Sequence, residues 1–157
     1  MITIILSDFS RVILNPKDKN YKGTLNGLYK ELQQKNIPFN FFDYFEFNDE
    51  ILKWYVQLKD KLSINLFTTG TIQNAKEVKQ KIDLIFENIF SAQEYGLDKK
   101  KPQAYEFIAN KLQKSPNQIL YIDDKLENLE AAKQAGLETW HYDNFIKLYN
   151  QFKQSLG

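Results

Sequence analysis

The sequence predicts an α/β fold with a mainly parallel sheet and helices on both faces. Three observations lead there. Residues 2–6, 63–67 and 118–122 are short and mostly apolar, as strands buried between two helical layers are. Segments with apolar residues at helical spacing separate them. Each run also ends directly in polar residues, and open α/β sheets bind ligands outside the carboxyl ends of their strands.

The elements follow in order. Residues 2–6 (ITIIL) form the first strand and deliver Asp8 to its end. "RVILNPKDKNYKG" carries Pro16, Gly23 and polar turn residues, so an irregular excursion is expected. Residues 24–35 place Leu25, Leu28, Tyr29 and Leu32 on one helical face, with Thr24 as N-cap and Pro38 beyond the end. An aromatic run then opens at Phe39 and closes at Phe47 (FNFFDYFEF). Asn48 is the expected cap of a helix with Asp49 and Glu50 in its first turn, and Ile51, Leu52, Tyr55, Val56, Leu58 and Leu62 on its apolar face.

"SINLF" (63–67) is a strand followed at once by "TTGT", and a helix is expected over 72–81. "LIFENIFS" holds a short strand near Ile89. Pro102 opens a helix through Leu112, which Ser115 and Pro116 end. "QILYI" (118–122) ends at Asp123 and Asp124. A helix over 126–135 is closed by Gly136, "LETWHY" is a last strand, and residues 144–156 form a closing amphipathic helix.

Composition narrows the function classes. The 157 residues fit one domain, with 43% hydrophobic and 26% charged residues. A net charge of +1 gives no field for nucleic acid or a membrane surface. There is no Cys, so thiol catalysis, disulfides and Cys-bound metal are excluded. The opening "MITIILSD" lacks a basic stretch and its apolar run is too short for a bilayer, so a cytoplasmic location is expected. Two readings stand for the aromatic run: packing within a short insert, or a surface for a homo-oligomer or ligand. "DKKK" reads as a solvated surface run, and His141, the one histidine, as a structural residue away from the motifs.

Three polar clusters follow strand ends: Asp8 with Ser10, residues 68–71, and Asp123 with Asp124. Converging carboxylates repel unless something positive sits among them, and magnesium (Mg2+) suits few carboxylates plus phosphate oxygens. Thr68 offers a hydroxyl, and the turn at Gly70 offers backbone N–H groups to anionic oxygens. "LDKKKPQAY" supplies lysines, with Lys101 just ahead of the Pro-started helix.

At these residues the chain resembles the haloacid dehalogenase superfamily. Four segments carry the resemblance, in the family's order: Asp8 in "IILSDFSRVIL", Thr68 in "INLFTTGT", Lys101-Pro102 in "EYGLDKKKPQAY", and Asp123-Asp124 in "ILYIDDKLENLEAAKQAGLETWHY". The resemblance implies a three-layer Rossmann-like core at about 1–14 and 48–157, with a reduced helical and aromatic cap at about 15–47. It implies a phosphohydrolase or phosphotransferase with Asp8 as nucleophile, passing through an aspartyl-phosphate. Magnesium would be held by Asp8, the Ser10 carbonyl and the acid pair, with Asp124 favoured as the direct ligand and Asp123 acting through water or orienting, a choice the sequence leaves open. Thr68, Thr69, Gly70 and Lys101 would hold the phosphoryl group, and catalysis would be mostly positioning and charge stabilisation.

Two departures qualify these expectations. Phosphatases of the family carry a general acid/base Asp where this chain has Ser10, and such help is worth about 10²–10⁴-fold, or roughly 3–5 kcal/mol of barrier. P-type ATPases carry Thr there, whereas dehalogenases carry Tyr but lack the paired acids. Thr69 also stands where many relatives have Asn. The expected enzyme is therefore slow or specialised, and the alternative is an impaired relative that binds a phosphorylated ligand or a protein partner. A cap this short is expected to leave the site open to a large phosphorylated substrate.

Overall fold

The structure is a computed structural model and describes residues 1–156. Gly157, the last residue of the expected domain, lies outside the described residues.

Five strands form the central sheet: β1 (Ile4–Ser7), β4 (Ser63–Thr68), β5 (Asn88–Ser91), β6 (Ile119–Asp123) and β7 (Glu138–His141). Their order is β5-β4-β1-β6-β7, and every neighbouring pair is parallel. The fold class expected from the alternation of strands and helices is the one found.

Period-two alternation along the strands sorts side chains into two layers. Ile5, Ile64, Leu66, Leu120 and Ile122 face one layer, where they meet helices α1 (Leu25–Gln34), α2 (Asp49–Leu58), α3 (Lys76–Ile82) and α7 (Phe145–Ser155). Ile4, Leu6, Phe67, Ile119 and Tyr121 face the other, against α5 (Pro102–Leu112) and α6 (Leu126–Gln134). A short helix α4 (Ala92–Tyr95) follows β5. Ile5 and Leu6 are fully buried, and truncating either to Ala removes about 2–5 kcal/mol of stability.

Local expectations hold at several helix starts. The Thr24 side chain accepts from the Gly27 N–H, Asn48 from Ile51, and Asn144 from Lys147. Others need correction. The region expected to be irregular contains β2 (Leu14–Pro16), which pairs antiparallel with β3 (Phe45–Phe47). That pairing is non-local, so neither run shows it alone. On α2, Val56 is half exposed whereas Trp54 is buried. Trp54 is covered by α7, where its ring lies 5.2 Å from that of Phe152. The helix expected over 72–81 is split: a 3₁₀ turn over Ile72–Asn74 is separated from α3 by extended Ala75.

Residues 15–47, expected as an insert, join the main core. Leu25, Leu32, Phe41 and Phe45 belong to the same buried cluster as Ile5 and Val78. Phe41 and Phe45 stack at 4.6 Å, with Tyr29 edge-on to both. Packing therefore accounts for the centre of the aromatic run, while Phe42 and Tyr44 remain exposed.

Candidate active site

The sheet order puts β4, β1 and β6 side by side at its centre, so their carboxyl ends open on one place. Thr68 ends β4, Asp8 follows β1 and Asp123 ends β6. The Asp8 N–H donates to the Ile122 carbonyl at 2.8 Å, which extends the ladder one residue beyond β1 and fixes where the carboxylate emerges. The chain then turns tightly. The Phe9 carbonyl accepts from Ile13 at 2.8 Å, and Arg11 adopts φ 64, an uncommon conformation for a side-chain-bearing residue. Ser10 is bridged to Leu14 through Phe9 O with Leu14 N and Leu14 O with Arg11 N, so neither bond uses the Ser10 carbonyl.

The lysine of the site is Lys99, and this corrects the expectation placed on Lys101. Lys99 Nζ donates to Asp8 Oδ1 at 2.7 Å and to the Phe67 carbonyl at 2.9 Å, and lies 3.5 Å from Asp123 Oδ2. It is 5% exposed, whereas Lys101 is exposed at the N-cap of α5. The cause is a turn: Lys101 N–H donates to the Asp98 carbonyl and Lys100 N–H to its side chain. That turn points Lys99 inward, where Tyr105 O–H pins its carbonyl at 2.7 Å. Asp98 as the opening residue of a turn was the signal available in "DKKKP". Lys99 was therefore not part of a solvated run.

Asp8, Asp123 and Asp124 each offer a carboxylate oxygen within 4.8 Å of one another. Their environments differ. Asp123 is saturated: Oδ2 accepts from Tyr121 O–H and from Asn128 Nδ2 at 2.9 Å, and Oδ1 accepts from the Lys125 N–H at 2.8 Å. Asp124 Oδ1 is buried without a hydrogen-bond partner among the described residues.

Ionisation follows from these surroundings. Burial pushes the Asp8 carboxyl up to about 7, against the pull of Lys99 and with help from the charge of Asp123. Burial also works against Asp123 ionising, but Lys99 and the hydrogen bonds from Tyr121, Lys125 and Asn128 bring it below its ordinary value. Asp124 is raised by burial and by its neighbour Asp123. Three carboxylates thus face one ammonium, and the cluster is short of positive charge.

The other predicted residues surround this cluster. Thr68 Oγ1 is buried and has no partner among the described residues. Thr69 and Gly70 line, with Asp8, Ser10 and Asp124, a cavity of about 300 Å³. The Gly70 carbonyl is turned away into Gln73 Nε2 (2.8 Å) and Ser91 Oγ (2.7 Å). The next two N–H groups, of Thr71 and Ile72, both donate to Asn26 Oδ1, at 3.1 and 3.0 Å. A Cβ on residue 70 would stand 2.5 Å from that same oxygen, so the close approach requires Gly70.

Asn26 comes from the insert, and sequence reasoning missed it; no local signal marks it. It also missed Tyr121 and Asn128, which saturate Asp123. Arg11 ties the insert as well, donating to the carbonyls of Tyr21 (3.0 Å) and Gly23 (2.8 Å). The insert therefore walls one side of the cavity. His141 is not remote from the motifs: β7 pairs with β6, and His141 Nε2 lies 3.0 Å from the Asp124 carbonyl. Among the described residues, no helix is long and apolar enough to cross a membrane.

Known proteins share this architecture. A haloacid dehalogenase family enzyme of Bacteroides thetaiotaomicron, solved with magnesium and inorganic phosphate, superposes with a TM-score of 0.72 at 14% identity, covering 95% of this chain and 100% of that one. Over 92 residues the chain is 30% identical to an enolase-phosphatase of Parasynechococcus marenigrum, covering 55% of this chain and 36% of that protein. Over 73 residues it is 28% identical to a sesquiterpene phosphatase of Aspergillus oryzae, covering 46% and 37%. The aligned regions thus span little more than a third of these two curated relatives. Residues 30–136, well over half of the chain, match the haloacid dehalogenase-like hydrolases, and the chain therefore belongs to that family.

Proposed function

We propose that the chain is a magnesium-dependent phosphohydrolase or phosphotransferase that uses Asp8 as a covalent nucleophile. The observation that carries this reading is the Lys99–Asp8 pair, buried at the sheet's carboxyl end beside two further carboxylates. The relatives that are phosphatases, and the neighbour solved with magnesium and phosphate, support the substrate class and the cation.

The donor set fits a hard divalent cation. Asp124 Oδ1, buried and unpartnered among the described residues, lies in a carboxylate cluster that Lys99 faces, and oxygen ligands are what magnesium takes. Asp8, Asp124 and the Ser10 carbonyl would hold it. Asp123, with both oxygens occupied by protein donors, would orient the cluster instead. When bound, the cation supplies positive charge to the phosphoryl oxygens.

The chain's own residues do the rest. Lys99 holds one Asp8 oxygen and draws the carboxyl toward its ionised, nucleophilic form. The other oxygen attacks phosphorus and the leaving group departs, leaving an aspartyl-phosphate. Thr68 Oγ–H, with Thr69 and Gly70, binds phosphoryl oxygens. Water then attacks phosphorus, releasing orthophosphate and restoring the Asp8 carboxylate.

The test is turnover of p-nitrophenyl phosphate and acetyl phosphate with magnesium. Wild type is expected to turn over, and Asp8→Asn to fall to background. Equal rates for the two proteins would remove Asp8 from the chemistry and favour a ligand- or partner-binding role.

A further inference from the structure

We infer that the substrate is a phosphate compound whose leaving group departs without a proton, an acyl phosphate above all. This rests on the proposed Asp8 chemistry and deepens it. When phosphorus transfers to Asp8, the bond from phosphorus to the leaving oxygen breaks and its electron pair stays on that oxygen. From a phosphomonoester of an alcohol the product is an alkoxide, about as basic as hydroxide. Such a group needs a proton from a nearby acid in the transition state. From an acyl phosphate the product is a carboxylate of pKa about 4, which leaves as it is.

The cavity has little to offer an alkoxide. Its carboxyl groups are Asp8 and Asp124, the nucleophile and the proposed cation ligand, and the nearby Asp123 is already saturated. The remaining described polar residues of the wall are alcohols, amides, Arg11 and the exposed Lys22 and Lys125. Ser10, beyond the nucleophile, carries a hydroxyl, which does not exchange a proton usefully near neutral pH. The guanidinium of Arg11 is held by the Tyr21 and Gly23 carbonyls. His141, the chain's imidazole, faces the Asp124 carbonyl and is not part of the wall.

The balanced sequence is short. An Asp8 oxygen bonds to phosphorus as the bond between phosphorus and the bridging oxygen breaks, and the carboxylate leaves with that electron pair. A water oxygen then bonds to phosphorus and the Asp8–phosphorus linkage breaks, giving orthophosphate. The water's protons pass to phosphate and bulk solvent. Without a base at residue 10 this second step is slow, so the phosphorylated protein accumulates.

The experiment compares acetyl phosphate, aryl phosphates of graded phenol acidity, and glycerol phosphate, with magnesium. Wild type is expected to show kcat/KM for acetyl phosphate at least about 10³-fold above glycerol phosphate, with aryl phosphates falling steeply as the phenol becomes less acidic. Ser10→Asp is expected to narrow the acetyl-to-glycerol ratio by about 100-fold or more. Intact-mass spectrometry after quenching is expected to find a phosphorylated form in wild type with acetyl phosphate, absent in Asp8→Asn and scarcer in Ser10→Asp. A flat leaving-group dependence in wild type overturns the inference and leaves Asp8 catalysis standing, even if Ser10→Asp fails to fold. Neither Asp8-dependent turnover nor Asp8-dependent phosphorylation with acetyl phosphate overturns both.

Discussion

Replacing Asp8 by Asn is expected to stabilise the protein in the absence of divalent cations, and to do so only where Asp8 would be charged. In the folded state burial lifts this carboxyl from 3.8 to about 7, and Lys99 only partly offsets the effect. Between those two values the folded state binds more protons at this group than the unfolded state does. Stability therefore falls as pH rises through that window, and the penalty is complete above it. At about 1.4 kcal/mol per pH unit the displacement corresponds to at most about 4 kcal/mol. Asn keeps the shape and removes the charge, while Lys99 retains the Phe67 carbonyl at 2.9 Å and Asp123 at 3.5 Å. A gain of about 1–4 kcal/mol follows at pH 8, or roughly 2–4 °C in Tm for each kcal/mol. The assay is urea unfolding in EDTA at pH 8, 6 and 4, on both proteins. The gain should shrink toward zero at pH 4. A gain independent of pH, or none at pH 8, would refute the claim that a buried, under-compensated charge is the cause.

Three further outcomes are expected. Lys99→Met should lower turnover by about 100-fold or more through lost charge stabilisation, whereas Lys101→Ala should stay within about threefold, as an exposed substitution does; steady-state kinetics decide. Asn26→Ala removes two hydrogen bonds to the loop after Thr68 and should cost about 1–3 kcal/mol in urea unfolding. Gly70→Ala should be less costly in an Asn26→Ala background than alone, because the atoms it strikes are gone. Magnesium at a hundredfold excess over its dissociation constant should stabilise wild type by about 2.7 kcal/mol, and Asp124→Asn should abolish most of the rise in Tm.

The strand-end residues were legible because each apolar run stops where the sheet stops. Asp8, Thr68, Asp123 and Asp124 stand at those stops, and adjacency of three parallel strands brings them together. Helix caps at Thr24, Asn48 and Asn144 were equally legible, since a cap is a contact within one turn of chain. The lysine was not. "DKKKP" holds three of them, and the Asp98 turn decides which one enters the core. The pairing of β2 with β3, the burial of Trp54 under α7 and the reach of Asn26 to residues 71 and 72 were hidden for the same reason: both partners must be in place before either contact exists.

Local chemistry and periodicity therefore determined the fold class, the carboxylates at the strand ends and the absence of an acid at Ser10, because each is read from short stretches of chain. Only the tertiary structure decided that Lys99 reaches Asp8, that Asp123 meets three protein donors while Asp124 Oδ1 meets none among the described residues, and that residues 22–26 wall the cavity. Those are relations between segments distant in sequence, and burial is what assigns them: a charge or a lone pair withdrawn from water must find its partner among whatever the fold has placed beside it.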